Sequence, residues 1–242
     1  MKKTLLAIVL LSVGLLFGCK QQKSDVQLVF AVSAEYPPFE YQVRGELQGF
    51  DIDLARLVAK EMGKEAVFKN MQFSVILPAL QAGSVDAAIS TITITDARKQ
   101  QFDFSESYYV DSIAMVYPTN KPITSEAQIA NKKIACQLGT TMEIWLRKHF
   151  PDIEIVTMDS NNQSIEALKA GHVDGVLLDG VQAIAFSQKN PGLSWAVIGK
   201  ANTGYGIAFK KGSLLRTEVN AALKRLEERG EMKKLEEKWL KG

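Results

Sequence analysis

The chain has 242 residues, 46% of them hydrophobic, and its 29 basic and 27 acidic side chains nearly balance. A chain of this length predicts one large domain or two modest ones. Because the basic residues form no clustered stripe, the composition gives no support to a nucleic-acid partner. The two cysteines, Cys19 and Cys136, exclude a disulfide framework and a cysteine-based metal site. We expect Cys136, in a strand-like apolar segment, to be a buried and inert thiol.

The first 19 residues have the pattern of an export signal rather than of a folded element. Two lysines precede an apolar run over 5–16 that is too short to span a bilayer comfortably. The sequence Leu16-Phe-Gly-Cys19 resembles a bacterial lipobox, which implies cleavage before Cys19 and lipid attachment to its sulfur. We therefore predict a signal peptide over 1–18, followed by the lipidated cysteine and a short polar tether over 19–25. The alternative is an ordinary signal peptide in which the cysteine has no such role.

Apolar runs alternate with segments of helical spacing after residue 26. Short apolar runs predict buried strands, and apolar residues three or four apart predict helices. The predicted strands cover 28–32, 67–69, 87–90, 113–117, 133–137, 154–158, 175–178 and 205–209. The predicted helices cover 51–63, 73–81, 95–100, 141–149, 164–170, 180–188 and 214–241, the last broken at Gly230. Two prolines at 37–38 predict a loop after the first strand.

One eight-residue segment occurs twice, 88 positions apart. Six of the eight residues are identical between 79–86 and 167–174, and each copy runs on into an apolar segment. Each copy predicts a helix end, a glycine in a left-handed turn and then a buried strand. The same displacement aligns Thr91 with Asp179, and ligands of open α/β sheets bind at the carboxyl ends of strands. Alternatively, the segment is only a common helix-to-strand turn.

The order of these elements predicts two similar α/β lobes. Alternating strands and helices favour mostly parallel sheets with right-handed crossovers. The pattern restarts near residue 112 and returns near residue 205, so we expect the chain to cross twice between the lobes. The predicted boundaries are 26–109 plus 207–242 for lobe one, 112–203 for lobe two, and 110–111 plus 204–206 for the hinge. A two-strand hinge of this kind allows closure around a ligand.

Seven short motifs are spread along the chain in a specific order and spacing. They are Tyr36-Pro-Pro-Phe39, Gly49-Phe-Asp-Ile-Asp-Leu54, Ile76-Leu-Pro-Ala-Leu80, Thr93-Ile-Thr-Asp-Ala-Arg98, Asp103-Phe-Ser105 with Tyr108-Tyr109, Gly139-Thr-Thr141, and Tyr205-Gly-Ile-Ala208. Together they resemble the periplasmic polar-amino-acid-binding proteins of bacterial ABC importers, solute-binding protein family 3, over residues 26–242. The resemblance implies a periplasmic-binding-protein type II fold, with two Rossmann-like lobes joined by a two-strand hinge.

The resemblance implies a site for the α-carboxylate of the ligand. In that family the carboxylate is held by the arginine of a Thr-x-x-x-x-Arg pattern, which Thr93 and Arg98 fit. A guanidinium offers a fixed fork of donors that matches a carboxylate. The family also places the carboxylate near Thr141 at a helix N-terminus, so Arg98 and Thr141 would clamp it from opposite lobes. Alternatively, Arg98 pairs with a local acid, Asp96 or Asp103.

The resemblance also implies a site for the α-ammonium group. Asp179 is the expected partner of that charge, with Thr91 and Thr93 as further acceptors. Alternatively, Asp179 caps the helix over 180–188. Thr140 in turn suits the N-cap of the helix over 141–149, and that role is compatible with ligand binding by Thr141.

The ligand side chain is expected to lie between two aromatic rings. Tyr36 and Phe73 match family positions whose rings sandwich it, and rings attract a guanidinium by about 0.5–2 kcal/mol. Phe73 also suits a core position at a helix start. The other predicted ligand-binding residues are Ser33, Glu35, Ser90 and Gln137.

The identity of the amino acid rests on weaker signals. Many family members carry an acid at the position of Ser33, whereas here the nearby acids are Glu35 and Glu143. The run 137–141 and the run 174–179 are most similar to the arginine-binding branch. The resemblance therefore favours arginine, with lysine, histidine or glutamine behind it.

The predicted function is that of a lipid-anchored solute-binding protein on the periplasmic or outer face of the cell envelope. It captures an amino acid by hinge closure as a monomer and delivers it to an ABC permease, with no cofactor and no metal. One alternative is an enzyme on the same fold, similar to cyclohexadienyl dehydratase. His149 and His172 suit surface positions better than catalytic ones. The other alternative is the sensor module of a signalling protein.

Overall fold

The computed structural model describes residues 26–201 and 203–240. The predicted signal peptide and Cys19 lie outside the described residues. The strands are β1 (Gln27–Val32), β2 (Glu35–Tyr36), β3 (Glu40–Val43), β4 (Glu46–Gln48), β5 (Glu65–Asn70), β6 (Ala87–Ala88), β7 (Phe102–Phe104), β8 (Ser112–Pro118), β9 (Lys133–Gln137), β10 (Glu154–Met158), β11 (Gly175–Asp179), β12 (Leu193–Lys200) and β13 (Ala208–Lys210). The α-helices are α1 (Phe50–Glu61), α2 (Phe73–Gln81), α3 (Asp96–Gln101), α4 (Thr141–His149), α5 (Asn161–Lys169), α6 (Gly180–Lys189), α7 (Leu215–Glu228) and α8 (Glu231–Trp239), and a short 3-10 helix covers Glu126–Gln128.

Two five-stranded sheets in the described ranges have equivalent strand orders. The first sheet runs β5-β1-β6-β13-β7 and the second β10-β9-β11-β8-β12. In each sheet the first three strands are parallel, and the last two strands add antiparallel pairs. The predicted fold of two α/β lobes is therefore confirmed, and so are mostly parallel sheets, because four of the five strands in each sheet run in the same direction and only β13 or β8 runs opposite to them. β8 and β13 follow the two chain crossings, and each pairs antiparallel with the parallel strands of its sheet.

Three local features differ from the prediction. A small antiparallel sheet of β2, β3 and β4 occupies the region predicted as a loop, because Arg44 and Gly45 adopt the positive φ angles, 51° and 87°, of a tight hairpin turn. The edge strands β7 and β12 were not predicted, since only their antiparallel pairings, with β13 and β8, define them. Helix α5 begins earlier than predicted, where the Ser160 side chain accepts a hydrogen bond from the backbone N–H of Gln163.

The core follows from strands that are covered on both faces. Along β1, Leu28, Phe30 and Val32 pack into one hydrophobic cluster, and Val29 and Ala31 pack into another. Side chains alternate between the two faces of a strand, so a continuously apolar run contributes to both layers. This explains why the run at 28–32 shows no alternation of polar and apolar residues.

The repeated segment forms the same structure in both sheets. Gly83 and Gly171 adopt positive φ angles of 73° and 74°, as predicted for the left-handed turn. The aspartate that ends each copy then accepts a backbone hydrogen bond from the strand in the second place of its own sheet, β1 or β9, at 2.9 Å in both cases. These bonds join Val29 N to Asp86 Oδ2 and Lys133 N to Asp174 Oδ2. The repeat therefore marks equivalent positions in the two lobes.

Two expectations about single residues, the buried thiol and the exposed histidines, are also met. Cys136 is buried, and burial raises the pKa of its thiol to about 12, so it is inert at neutral pH. His149 and His172 are exposed. Within the described part of the chain, no helix is long and apolar enough to cross a membrane, and no three His, Cys, Asp or Glu side chains are grouped to hold a metal ion.

Candidate functional site

One cavity lies where the carboxyl ends of strands from the two sheets face each other. Ser33 follows β1, Ser90 and Thr91 follow β6, and Gln137 and Asp179 end β9 and β11. All eleven residues predicted to bind the ligand line this cavity: Ser33, Glu35, Tyr36, Phe73, Ser90, Thr91, Thr93, Arg98, Gln137, Thr141 and Asp179. The prediction did not include Glu40, Thr140, Met142, Asn161, Leu177, Leu178 and Gln182, which line it too.

Arg98 reaches across the cavity from helix α3. The guanidinium donates through Nη1 to the carbonyl oxygen of Thr93 at 2.8 Å and through Nη2 to that of Gly139 at 3.2 Å, on the facing lobe. Its side chain has no salt-bridge partner among the described residues; Asp96 pairs with Lys99 and Asp103 with Lys211. The alternative in which Arg98 pairs with one of these acids is therefore wrong.

Burial changes the electrostatics of this guanidinium but not its charge. Removal from water lowers the pKa of Arg98 to about 10, and the negative charge of Asp179 opposes that shift. The side chain stays protonated at neutral pH. A buried cation that bonds only to carbonyl oxygens is well suited to accept an anionic partner.

Thr141 faces the same point from the second lobe. Its hydroxyl lies 3.4 Å from the hydroxyl of Thr93. The preceding Thr140 caps helix α4, because its hydroxyl accepts from the backbone N–H of Glu143 at 3.4 Å. Since Thr140 meets the capping requirement, the Thr141 hydroxyl at the first helical position is left to face the cavity.

Asp179 occupies the N-cap position of α6 without capping it. Its side chain makes no cap hydrogen bond. Instead, Asp111, at the crossing between the sheets, accepts from the backbone N–H of Val181 through Oδ2 at 3.2 Å. The same oxygen accepts from the hydroxyl of Tyr205 at 3.3 Å. Because Asp111 replaces Asp179 as the cap, the Asp179 carboxyl is left at the cavity wall.

The environment of Asp179 disfavours its charge. Burial and the neighbouring charge of Asp111 raise the pKa of Asp179 to about 7, although the hydroxyls of Tyr205 and Tyr36 and the charge of Arg98 oppose the shift. A carboxyl in this state gains most from a cationic partner, which would supply the missing positive charge.

The two aromatic residues have different surroundings. Tyr36 is buried in β2, rather than on the predicted loop, and its ring lies 5.6 Å from that of Phe39. Phe73 is half-buried at the start of α2, where it packs against a core cluster and also lines the cavity. Both interpretations of Phe73 therefore apply.

Glu35 and Glu143, the two acids considered as partners for the distal end of the ligand, lie away from the centre of the cavity. Glu35 is exposed at the rim. Glu143 accepts from the backbone N–H of Gly139 at 2.8 Å and forms a salt bridge with Arg147 at 2.9 Å. Its charge is thus engaged at the start of α4 and does not line the cavity.

Neutral amides form part of the wall on the second lobe. Asn161 Nδ2 donates to Gln182 Oε1 at 2.6 Å, and the buried Oδ1 of Asn161 has no partner in the described part of the chain. Gln137 Nε2 donates to the carbonyl oxygen of Asp159 at 3.0 Å. Asn161 was missed because helix α5 was predicted to start after it, although Ser160 before it is a favourable N-cap residue.

Comparisons with known proteins agree with this geometry. The model of the bacterial extracellular solute-binding proteins, family 3, matches residues 28–242. The chain belongs to this family. Among its relatives, the arginine-binding extracellular protein ArtP of Bacillus subtilis is 33% identical, with 100% of this chain and 99% of ArtP covered.

Solved structures of the family have the same fold. An ancestral arginine-binding protein bound to arginine matches with a TM-score of 0.84 and 36% identity, over 88% of this chain and 98% of that one. An ancestral arginine-binding protein bound to glutamine matches with a TM-score of 0.85 and 36% identity, over 88% of this chain and 97% of that one. These members of the solute-binding family are named for binding and not for catalysis. The chain is accordingly a binding protein and not an enzyme.

Proposed function

We propose that this solute-binding protein captures a free L-amino acid between its two lobes, with arginine as the first candidate. The observation that carries the proposal is the pairing of opposite charges across one cavity. A buried cation, Arg98, lies on one side, and the carboxyl of Asp179, which does not cap its helix, lies on the other. An α-amino acid carries the complementary pair of charges on adjacent atoms.

The α-carboxylate would bind the Arg98 fork and the hydroxyl of Thr141. In doing so it would replace the carbonyl partners that Arg98 has in the empty cavity, and charge-assisted hydrogen bonds are stronger than the neutral ones they replace. The α-ammonium group would bind Asp179, with Thr91 and Thr93 as further acceptors. This assignment uses groups from both lobes, so the ligand would stabilise the closed form.

The case for arginine combines the relatives with the cavity wall. ArtP is named as an arginine-binding protein, and one of the matched ancestral structures is described as bound to arginine. Tyr36 and Phe73 offer faces for the alkyl stem and guanidinium, and Glu35 lies at the rim. Lysine and histidine would use the same features.

Glutamine is the second candidate, and a different observation favours it. The amides of Gln137, Asn161 and Gln182 line the cavity, and Ser33 stands where many family members have an acid. Neutral donors and acceptors match a carboxamide better than a guanidinium. One matched ancestral structure also carries glutamine.

Closure would take place about the two chain crossings. The proposed hinge is 110–111 with 204–206, between lobe one (26–109 plus 207–242) and lobe two (112–203). Support comes from the bridge between Tyr109 and Tyr205, which holds the two crossing segments together. Hinges absorb the backbone rotation of domain closure in a few residues.

The cellular role follows from the proposed binding. The closed monomer would deliver its amino acid to an ABC permease, without cofactor or metal. Cys19 would carry a lipid that tethers the protein to the periplasmic or outer face of the envelope. Mass spectrometry of the protein from membranes tests the anchor: the expected product begins at Cys19 with a diacylglycerol adduct, whereas unmodified Cys19 would rule it out.

Thermal unfolding against all twenty amino acids tests the ligand, using the chain from Ser24. A ligand at 100 times its dissociation constant adds about 2.7 kcal/mol of stability. A shift confined to arginine and the other basic amino acids supports the first candidate. A shift with glutamine alone replaces it with the second. The absence of any shift overturns amino-acid capture.

A further inference from the structure

Two acidic side chains lie buried next to Ser90 and Thr91, and one of them, Glu40, also borders the cavity. Glu40, at the start of β3, is 1% exposed, and Asp51, in the first turn of α1, is 0% exposed. Neither has a salt-bridge partner among the described residues. Two buried carboxylates without a counter-charge are strongly unfavourable. Their protonation state therefore requires an explanation.

The hydrogen bonds account for one oxygen of each carboxyl group. Glu40 Oε1 accepts from the Ser90 hydroxyl at 2.8 Å. Asp51 Oδ2 accepts from the backbone N–H of Thr91 and from the hydroxyl of Tyr108, both at 2.9 Å. The other oxygens, Glu40 Oε2 and Asp51 Oδ1, are buried without a donor in the described part of the chain. A single proton between them would satisfy both, one as donor and one as acceptor.

The electrostatics agree with this arrangement. Burial, followed by the charge of Asp51, raises the pKa of Glu40 well above its usual range. Burial also raises the pKa of Asp51 to about 7, against the hydrogen bonds that its Oδ2 accepts from Thr91 and Tyr108. Above about pH 7, the pair thus keeps one proton.

We propose that Glu40 and Asp51 share one proton and act as a positioning unit for Ser90 and Thr91 in the ligand wall. Thr91 has a φ angle of 46°, in the left-handed region that a β-branched residue rarely adopts. The carboxylate of Asp51 holds its N–H there. Glu40 holds the Ser90 hydroxyl, which in turn accepts from the backbone N–H of Ser33 at 3.0 Å.

The shared proton keeps these contacts together. Loss of that proton would place two like charges side by side in the core and force β3 and the start of α1 apart. Other titratable groups that face the pair are Tyr108, Tyr36 and Asp179. Burial is the main cause that raises the pKa of both tyrosines well above 10, so the tyrosines remain neutral. The pKa of Asp179 is about 7.

Infrared spectroscopy of the ligand-free protein tests the proton directly. At about pH 8.5, where Asp179 is ionised, the wild type should show the carbonyl band of a protonated carboxyl group. Glu40→Gln removes the group that holds the proton at this pH and should abolish that band. Asp51→Asn leaves Glu40 buried, so the band should remain but shift in frequency because its acceptor has changed, whereas the exposed control Glu65→Gln should leave the band unchanged. A wild type without the band, a band that persists in Glu40→Gln, or an unshifted band in Asp51→Asn overturns the shared proton.

Titration calorimetry tests the positioning role, which rests on the proposed amino-acid binding. Glu40→Gln, whose amide can still donate to Asp51 and accept from Ser90, should bind within about threefold of the wild type. Glu40→Leu removes the acceptor of the Ser90 hydroxyl and the group that shares a proton with Asp51, and it should bind at least about tenfold more weakly. Equal affinities for the two variants, both checked for folding by circular dichroism, overturn the positioning role. If Glu40→Leu fails to fold, the test rests on Glu40→Gln alone. A loss of affinity of more than tenfold in a folded Glu40→Gln then overturns the positioning role.

The two measurements separate the inference from the proposed function. If the wild type binds no amino acid, the proposed function fails, while the infrared result still decides whether the proton is shared.

Discussion

The two lobes use the same scaffold to present different chemistry at equivalent positions. Thr91 and Asp179, 88 residues apart, follow equivalent strands of sheets with equivalent strand order. In each lobe, an acid from elsewhere in the chain accepts a backbone hydrogen bond near that position: Asp51 from Thr91 N at 2.9 Å, and Asp111 from Val181 N, two residues after Asp179, at 3.2 Å. The comparison teaches that the repeat fixes where a functional group lies, while neighbouring acids fix what it can do.

The cationic side of the cavity should show the largest effect. In the Arg98→Ala variant, the ligand carboxylate would lose its buried partner, which costs about 3–5 kcal/mol, or at least about a 100-fold loss of affinity. Arg98→Lys should recover little, because an ammonium group lacks the planar fork. Titration calorimetry measures both. The neighbouring, exposed Lys99→Ala is the matched control, and wild-type affinity in Arg98→Ala would remove the carboxylate clamp from the proposal.

The anionic side should make binding dependent on pH. The pKa of Asp179 is about 7 in the empty cavity, so below pH 7 its carboxyl is mostly protonated. An ammonium ligand requires the ionised form, so binding must release a proton there, and affinity should fall about tenfold for each pH unit below 7. Calorimetry across the range from about pH 5 to 8 measures the slope. A flat profile in the wild type would falsify the role of Asp179.

The cap that frees Asp179 should matter more to binding than to the fold. Without the carboxylate in Asp111→Ala, helix α6 loses a cap worth about 1 kcal/mol, and Asp179 becomes free to turn and replace it. We expect affinity to fall about tenfold, with a small loss in thermal stability. Asp111→Asn keeps an acceptor oxygen and should have a smaller effect on both.

The comparison is contradicted here if Asp111→Ala destabilises the protein but leaves affinity unchanged. Asp179 would then face the cavity for reasons unrelated to the cap.

The repeated turn should show the smallest and most symmetric effect. Gly83 and Gly171 have φ angles near 74°, and a Cβ added at either would have no atom within 4 Å. Alanine at either position should cost about 1–2 kcal/mol through backbone strain alone. Urea unfolding of the two variants should give equal losses. A clear difference between them would show that the two copies are not equivalent in energy.

Much of the fold was predictable because its signals are local. Helices α2 and α4 and strands β9 and β10 have the predicted bounds, since each is framed by residues that start or stop an element. The break at Gly230, with a φ of 71°, was also expected. The errors occur where pairing decides: β12 exists only against β8, and the hairpin of β3 and β4 depends on a tight turn at Arg44–Gly45.

The sequence by itself determined the alternation of elements behind the two-lobed fold and the repeat, because periodicity and turn residues are read along the chain. Its ordered motifs, through their resemblance to a known family, also gave eleven of the residues that line the cavity. Only the tertiary structure decided that Asp111 caps α6 in place of Asp179 and that Glu40 and Asp51 meet behind Thr91. Those contacts join residues on different elements, and they alter pKa values through burial and through charges brought together by folding. No local pattern in the sequence encodes such a meeting.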